Sequence, residues 1–171
     1  MLAAARGAIE ARLGARPAAQ GGATLATAER RGAFVTLECG GELRGCIGRV
    51  ETTQPLAELV PAMALAAALE DPRFEPLRAS ELAALRVEVS VLSPPVALTP
   101  ADPAGIVIGR DGLIVRRGTR QGLLLPQVAR EWGWNPLAFL EATCRKAGLG
   151  VAAWRDPGTE VLTFQAEVFR E

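Results

Sequence analysis

The hexapeptide Leu43-Arg44-Gly45-Cys46-Ile47-Gly48 is the segment of this sequence best equipped for chemistry. On an extended strand, residues i and i+2 share a face and lie about 6–7 Å apart. Arg44, Cys46 and Gly48 then share one face, and Leu43, Gly45 and Ile47 the other. A guanidinium beside a thiol favours the thiolate, which is both nucleophile and soft ligand. A glycine within a strand marks a bulge or the close approach of a ligand or another backbone. The pattern points to Cys46 as a thiol nucleophile, carrier or soft metal ligand, with Arg44 holding an anionic group and Gly45 and Gly48 clearing space. The competing reading is packing. Free cysteine is commonly a small buried residue, and a two-residue turn at Gly40-Gly41 sets Cys46 opposite Val35 on an apolar face. Arg44, between apolar neighbours, needs an acceptor in either case, such as Glu88 or Asp71.

Further polar residues are candidates for the same site. Asp71 and Arg73 follow an Ala-rich helix, as binding groups or as an ion pair tying the helix-ending turn. Glu88 and Ser90 share the face of a strand opposite Val87, Val89 and Val91, where they line a binding surface or face solvent. Cys144 falls on a helical stripe with Leu137, Leu140 and Ala147 and reads as core. Cys39 sits at a turn. Trp132 and Trp134 read as packing anchors, or as a protein interface if exposed. Lys146, near a helix end, reads as a cap interaction.

The chain has no histidine, which removes the Ser-His-Asp triad, the Cys-His dyad and the HExxH zinc site. Nineteen basic and nineteen acidic residues give zero formal charge, which counts against general nucleic-acid binding. Arg116, Arg117 and Arg120 form a local basic group that reads as a solvated hairpin edge. Three cysteines without a CxxC spacing suit a reducing cytoplasm and imply no disulfide framework. Residues 1–15 carry Arg6, Glu10 and Arg12, unlike a signal peptide, and no apolar run is long enough for a membrane span. No metal or cofactor motif is present, so no cofactor is expected in the isolated chain.

The elements that position these residues follow from periodicity and punctuation. Leu2, Ala5, Ile9 and Leu13 predict a helix over 2–14, followed by a loop over 15–24. Residues 33–38 and 43–50 predict two strands joined at Gly40-Gly41. A helix is expected from Pro55 to Glu70, kinked or broken at Pro61 and stopped by Asp71-Pro72. Ser80 is expected to cap a short helix through Leu85. Residues 86–92 predict a strand and 93–104 a Pro-rich connector. Arg110-Asp111-Gly112, between β-branched runs, predicts a hairpin over 105–117. A short helix is expected from Pro126 to Trp132. Asn135-Pro136 predicts the start of another that Gly148 ends. Residues 161–169 predict a last strand with Leu162, Phe164, Ala166 and Val168 inward. The order suits an α+β fold with a mostly antiparallel sheet flanked by helices.

The segments AFVTL (33–37), LRGCIG (43–48), DPRF (71–74), VEVSVL (87–92), GLLLPQVA (122–129), NPLAFLEATCRKAGL (135–149) and FQAEVF (164–169) together resemble the AMMECR-one domain family. Its bacterial and archaeal members are called AmmeMemoRadiSam system protein A. The resemblance implies one domain over residues 1–171 with two unequal lobes and a cleft beside LRGCIG. It also implies work with a Memo-like protein and a radical S-adenosylmethionine (SAM) enzyme; the small anionic substrate is what Arg44 and Cys46 themselves suggest. Asp111 stands where the family often carries His, which counts against a role for that turn. The alternative function is a non-catalytic adaptor that binds a peptide or protein at LRGCIG.

Overall fold

The computed structural model describes residues 1–15 and 28–171, so all but Ala15 of the loop expected over 15–24 lies outside the described residues. The chain is α+β and forms two compact units, Met1–Leu92 with Glu167–Glu171, and Ser93–Ala166.

The first unit holds α1 (Leu2–Arg12), β1 (Ala33–Cys39), β2 (Glu42–Arg49), α2 (Leu56–Leu69) and β3 (Leu85–Leu92). Its sheet has the order β2-β1-β3-β8, where β8 is Ala166–Arg170, the last strand of the chain. Both β2 and β3 pair antiparallel with β1. Alternation turns Ala33, Val35 and Leu37 of β1 and Val87, Val89 and Val91 of β3 onto a buried face. That face packs with Ala5 and Ile9 of α1 and with Leu56, Leu59, Val60, Met63, Ala64 and Ala67 of α2. The expected break at Pro61 is absent: α2 runs unbroken over Leu56–Leu69 with Pro61 inside it.

The expected cap at Ser80 is also replaced. Ser80 lies inside a 3-10 turn, Ala79–Glu81, and the cap residue is Arg78. The Glu81 carboxylate reaches back to accept from the Arg78 backbone N–H at 2.8 Å, so the capping interaction begins two residues earlier than the serine suggests.

The second unit holds β4 (Val96–Ala97), β5 (Gly112–Arg117), β6 (Arg120–Leu124), α3 (Pro126–Glu131), α4 (Pro136–Lys146) and β7 (Glu160–Phe164), with sheet order β4-β7-β5-β6. Its core gathers Ile106, Leu113, Val115, Leu124, Phe139, Leu140, Cys144 and Val161. Asn135 caps α4 as expected, its Oδ1 accepting from Ala138 N–H at 2.9 Å.

The hairpin forms elsewhere than expected. Residues 106–108 are not a strand, and β5 turns into β6 across Gly118-Thr119. Asp111 is the reason. Its buried carboxylate accepts from Val107 N–H at 2.8 Å and from both Nε and Nη2 of Arg110, closing a local loop in place of a first strand. Burial opposes its ionisation, but Arg110 and the Val107 N–H outweigh that and hold the carboxyl below its ordinary value.

The last strand is two strands. β7 and β8 are separated at Gln165, whose backbone exchanges hydrogen bonds with Ser93. β7 lies between β4 and β5, so both Val161 and Leu162 are buried and the inward–outward alternation fails. β8 is an edge strand, and Val168, expected inward, is 41% exposed.

Candidate functional site

The hairpin turn at Gly40-Gly41 starts as expected, with Cys39 opposite Glu42 and Glu38 opposite Leu43. A bulge then intervenes: Leu37 pairs with Gly45, leaving Arg44 as the extra residue. This one-residue slip changes the neighbours of every residue after it. Cys46 falls opposite Thr36 and not Val35. The thiol therefore sits on the polar face of the sheet, partly exposed, and the Thr36 hydroxyl donates to its sulfur at 3.4 Å.

The backbone of Cys46 is held at the open edge of β2. Its N–H donates to Asp71 Oδ2 at 2.9 Å, and its carbonyl accepts from Arg73 Nη2 at 3.3 Å. These contacts occupy the groups that an additional strand would pair, so Asp71 and Arg73 close the sheet edge at this residue. Outward-facing backbone groups also make Thr36–Cys46 a non-hydrogen-bonded pair, the arrangement in which opposing side chains are nearest.

Asp71 is buried and takes four hydrogen bonds, the others being from Arg73 N at 3.1 Å, Nε at 2.9 Å and Nη2 at 2.6 Å. The Arg73 guanidinium, above all, holds the Asp71 carboxyl far below its ordinary value, aided by the N–H groups of Cys46 and Arg73 and against the effect of burial. Arg73 itself is 53% exposed and lies over the Phe74 ring at 5.4 Å. It presents a guanidinium edge beside Cys46 that is anchored from behind.

Across the same face, Thr36 is opposite Glu88 and Phe34 opposite Ser90. Cys46, Thr36 and Glu88 thus form one row over three strands, about 10 Å from first to last at ordinary strand spacing. Ser90 Oγ donates to Glu88 at 3.4 Å, and Arg170 pairs with the other Glu88 oxygen at 2.5 Å. A recess of about 450 Å³ opens beside this row, lined by Glu38, Arg86, Val87, Glu88, Arg170 and Glu171. Among the described residues, no group of three or more Cys, Asp or Glu side chains is arranged to hold a metal ion.

The AMMECR1 family profile matches residues 2–169. The chain belongs to the AMMECR1 family. A protein from Methanothermobacter thermautotrophicus is 54% identical over 147 residues, covering 84% of this chain and 77% of its relative. One from Methanopyrus kandleri is 49% identical over 155 residues, covering 86% and 75%. The crystal structure of an uncharacterised protein from Pyrococcus horikoshii superposes with a TM-score of 0.89 at 43% identity, covering 99% of this chain and 89% of that one.

In this AMMECR1 chain the residues singled out by sequence divide into two groups. Cys46, Asp71 and Arg73 are joined directly, and Glu88 and Ser90 share their sheet face. Arg44 is drawn away. Its Nε and Nη2 take both oxygens of Glu81, at 2.7 and 3.2 Å, and Nη2 also reaches the Pro76 carbonyl at 3.5 Å. Its acceptor is therefore Glu81, neither Glu88 nor Asp71, and the thiol beside it electrostatically is Cys39. The guanidinium near Cys46 belongs to Arg73.

The two glycines have protein neighbours that explain them. A Cβ at Gly45 would lie 2.1 Å from the Ala67 carbonyl oxygen of α2, and one at Gly48 would lie 2.3 Å from the Phe34 ring. Two participants were missed by sequence reasoning, Thr36 and Glu81. Glu81 had a signal in the spacing Arg78-x-x-Glu81, which fits the reciprocal half of a capping box. Thr36 had none, because the bulge that sets its register leaves no mark beyond glycine content.

Proposed function

We propose that this protein is the substrate-holding component of a modification system that includes a Memo-like protein and a radical SAM enzyme. It binds a small anionic substrate at Leu43–Gly48, with Cys46 as thiol nucleophile or carrier. The observation that carries this reading is the setting of Cys46: a partly exposed thiol hydrogen-bonded by Thr36, on a backbone locked by Asp71 and Arg73. The half-exposed Arg73 guanidinium takes the anion-holding role first given to Arg44, whose donors face Glu81.

The test is alkylation of the native protein, read by peptide mass spectrometry, with the other cysteines as internal controls. Burial first, then Glu81, push the Cys39 thiol up against the opposing effect of Arg44, and burial pushes the fully buried Cys144 up as well. Cys46 is expected to label first, Cys39 more slowly, and Cys144 only on unfolding. Labelling of Cys46 only after denaturation would sink the thiol role.

One observation favours a second reading, a non-catalytic adaptor. Gly45 and Gly48 are both explained by packing, and the Asp71–Arg73 pair by closure of the sheet edge. Under that reading Cys46→Ser retains partner association, whereas Arg73→Ala weakens it. System activity measured with the Memo-like and radical SAM proteins separates the two readings: the thiol role requires Cys46→Ser to abolish activity while pull-down shows association intact, whereas the adaptor keeps both.

A further inference from the structure

The hairpin arginines, read from sequence as a solvated edge, border a recess of the second unit. It measures about 610 Å³, and its lining includes Arg117, Gly118, Thr119, Arg120, Gly150 and Asp156. That volume lies in the range of small-molecule sites. Its walls are fixed by a close backbone approach. A Cβ at Gly122 of β6 would lie 2.3 Å from the Ala147 backbone nitrogen, so the β5–β6 hairpin and the end of α4 are held together.

Both guanidiniums are anchored through a single nitrogen. Arg117 Nη1 donates to Asp156 Oδ2 at 2.8 Å, and Arg120 Nη1 donates to the Gly148 carbonyl at 3.1 Å. Each keeps further donors in a planar fork, the geometry that suits an oxyanion. Two cations face one carboxylate, so the recess carries a net positive charge. The dipole at the end of α4 would oppose an anion. That end is closed by N–H bonds from Gly148 to Arg145 and from Leu149 to Cys144, and its last turn carries Arg145 and Lys146.

The geometry points to a second binding site here, one that takes the phosphoryl group of a small phosphomonoester between Arg117 and Arg120. Donor number favours phosphoryl over carboxylate. Two guanidinium forks and the Thr119 hydroxyl offer more donors than the two oxygens of a carboxylate can use, whereas a terminal phosphoryl group presents three charged oxygens. The volume admits a substituent on that group as well. Asp156 competes for Arg117 and sets how tightly the site binds.

The test is a 15N–1H NMR titration of the full chain with phenyl phosphate, using sodium acetate at matched ionic strength as control. Saturable shifts at the Gly118, Thr119 and Gly150 amides are expected with phenyl phosphate and not with acetate. Arg117→Gln and Arg120→Gln each weaken apparent binding about tenfold, the loss of one charge-assisted contact. Asp156→Asn tightens binding, because it removes the competing carboxylate. Exposed Arg→Gln changes leave the fold intact, which an unchanged spectrum away from the recess verifies. Equal shifts with acetate, indifference to both arginine substitutions, or weaker binding by Asp156→Asn would each overturn the assignment.

Discussion

The Asp71–Arg73 pair is asymmetric, and the asymmetry predicts how each partner responds to removal. Asp71 is buried, whereas Arg73 is half exposed. In Asp71→Asn the guanidinium left behind can be hydrated, so the loss is that of charge-assisted hydrogen bonds, about 1.5–3 kcal/mol. In Arg73→Ala a buried carboxylate loses its cation, and the cost rises to about 3–5 kcal/mol. Urea unfolding at neutral pH should rank Arg73→Ala as the less stable, and the reverse order would refute the account. The pH dependence has a definite sign. Asp71 titrates lower folded than unfolded, so its contribution is complete above the ordinary carboxylate value of about 3.9 and is lost as pH falls toward its depressed folded value. The stability gap between native protein and Asp71→Asn should therefore be constant near neutrality and close progressively below about pH 4. At this scale the sequence was legible where a motif carried its own partner, as Asp71 and Arg73 do two residues apart. It was not legible for Thr36, whose contact depends on strand register.

At the scale of elements, the bulge in β2 and the small face of α2 work together. The Ala-rich helix approaches the strand so closely that only glycine fits at position 45, with the Ala67 carbonyl in the place of a Cβ. The obstructing atom is backbone, so no rotamer change relieves it. Gly45→Ala must move α2 or β2, and overpacking of this kind costs about 1–3 kcal/mol. The displacement also disturbs the hydrogen bonds of the neighbouring Cys46. Gly45→Ala should thus lower the urea midpoint and change the native alkylation rate of Cys46 together, whereas Gly7→Ala in α1, where a Cβ meets nothing within 4 Å, should do neither. If Gly45→Ala leaves both unchanged, the close approach is not what requires this glycine. Elements with local signals were legible: α4 has its Asn135 cap, its Pro136 start and its stop at Gly148. The segment around 106–111 was misread because the Asp111 carboxylate takes the Val107 N–H that a strand would need. Hydrogen bonding by a buried side chain does not alter the apolar pattern from which strands are read.

At the scale of the whole molecule, the order of units along the chain differs from the order of residues. The first unit is completed by Glu167–Glu171 after the second unit has been traversed. Alternation in the last strand could not disclose this, since Leu162, Phe164, Ala166 and Val168 keep the same period-two spacing straight across the switch at Gln165. The consequence is that the end of the chain stabilises its beginning. The Glu171 carboxylate pairs with Arg6 of α1 and accepts from Val87 N–H at 3.1 Å, and β8 covers the edge of β3. Arg6 and Val87 N–H together hold the Glu171 carboxyl below its ordinary value, with Arg6 dominant. A chain ending at Gln165 loses this strand and these bonds, a loss of about 2–4 kcal/mol from a charge-assisted pair and a short ladder. All three tryptophans, Trp132, Trp134 and Trp154, lie in the second unit, so their fluorescence reports that unit, whereas far-UV circular dichroism reports both. Truncation after Gln165 should lower the unfolding midpoint seen by circular dichroism more than that seen by tryptophan fluorescence. Coincident shifts by the two probes would show that β8 supports both units equally, contrary to its hydrogen bonding. A Glu171→Gln substitution in the full chain should move the circular dichroism midpoint in the same direction by a smaller amount, because it weakens the bond to Arg6 while keeping the strand.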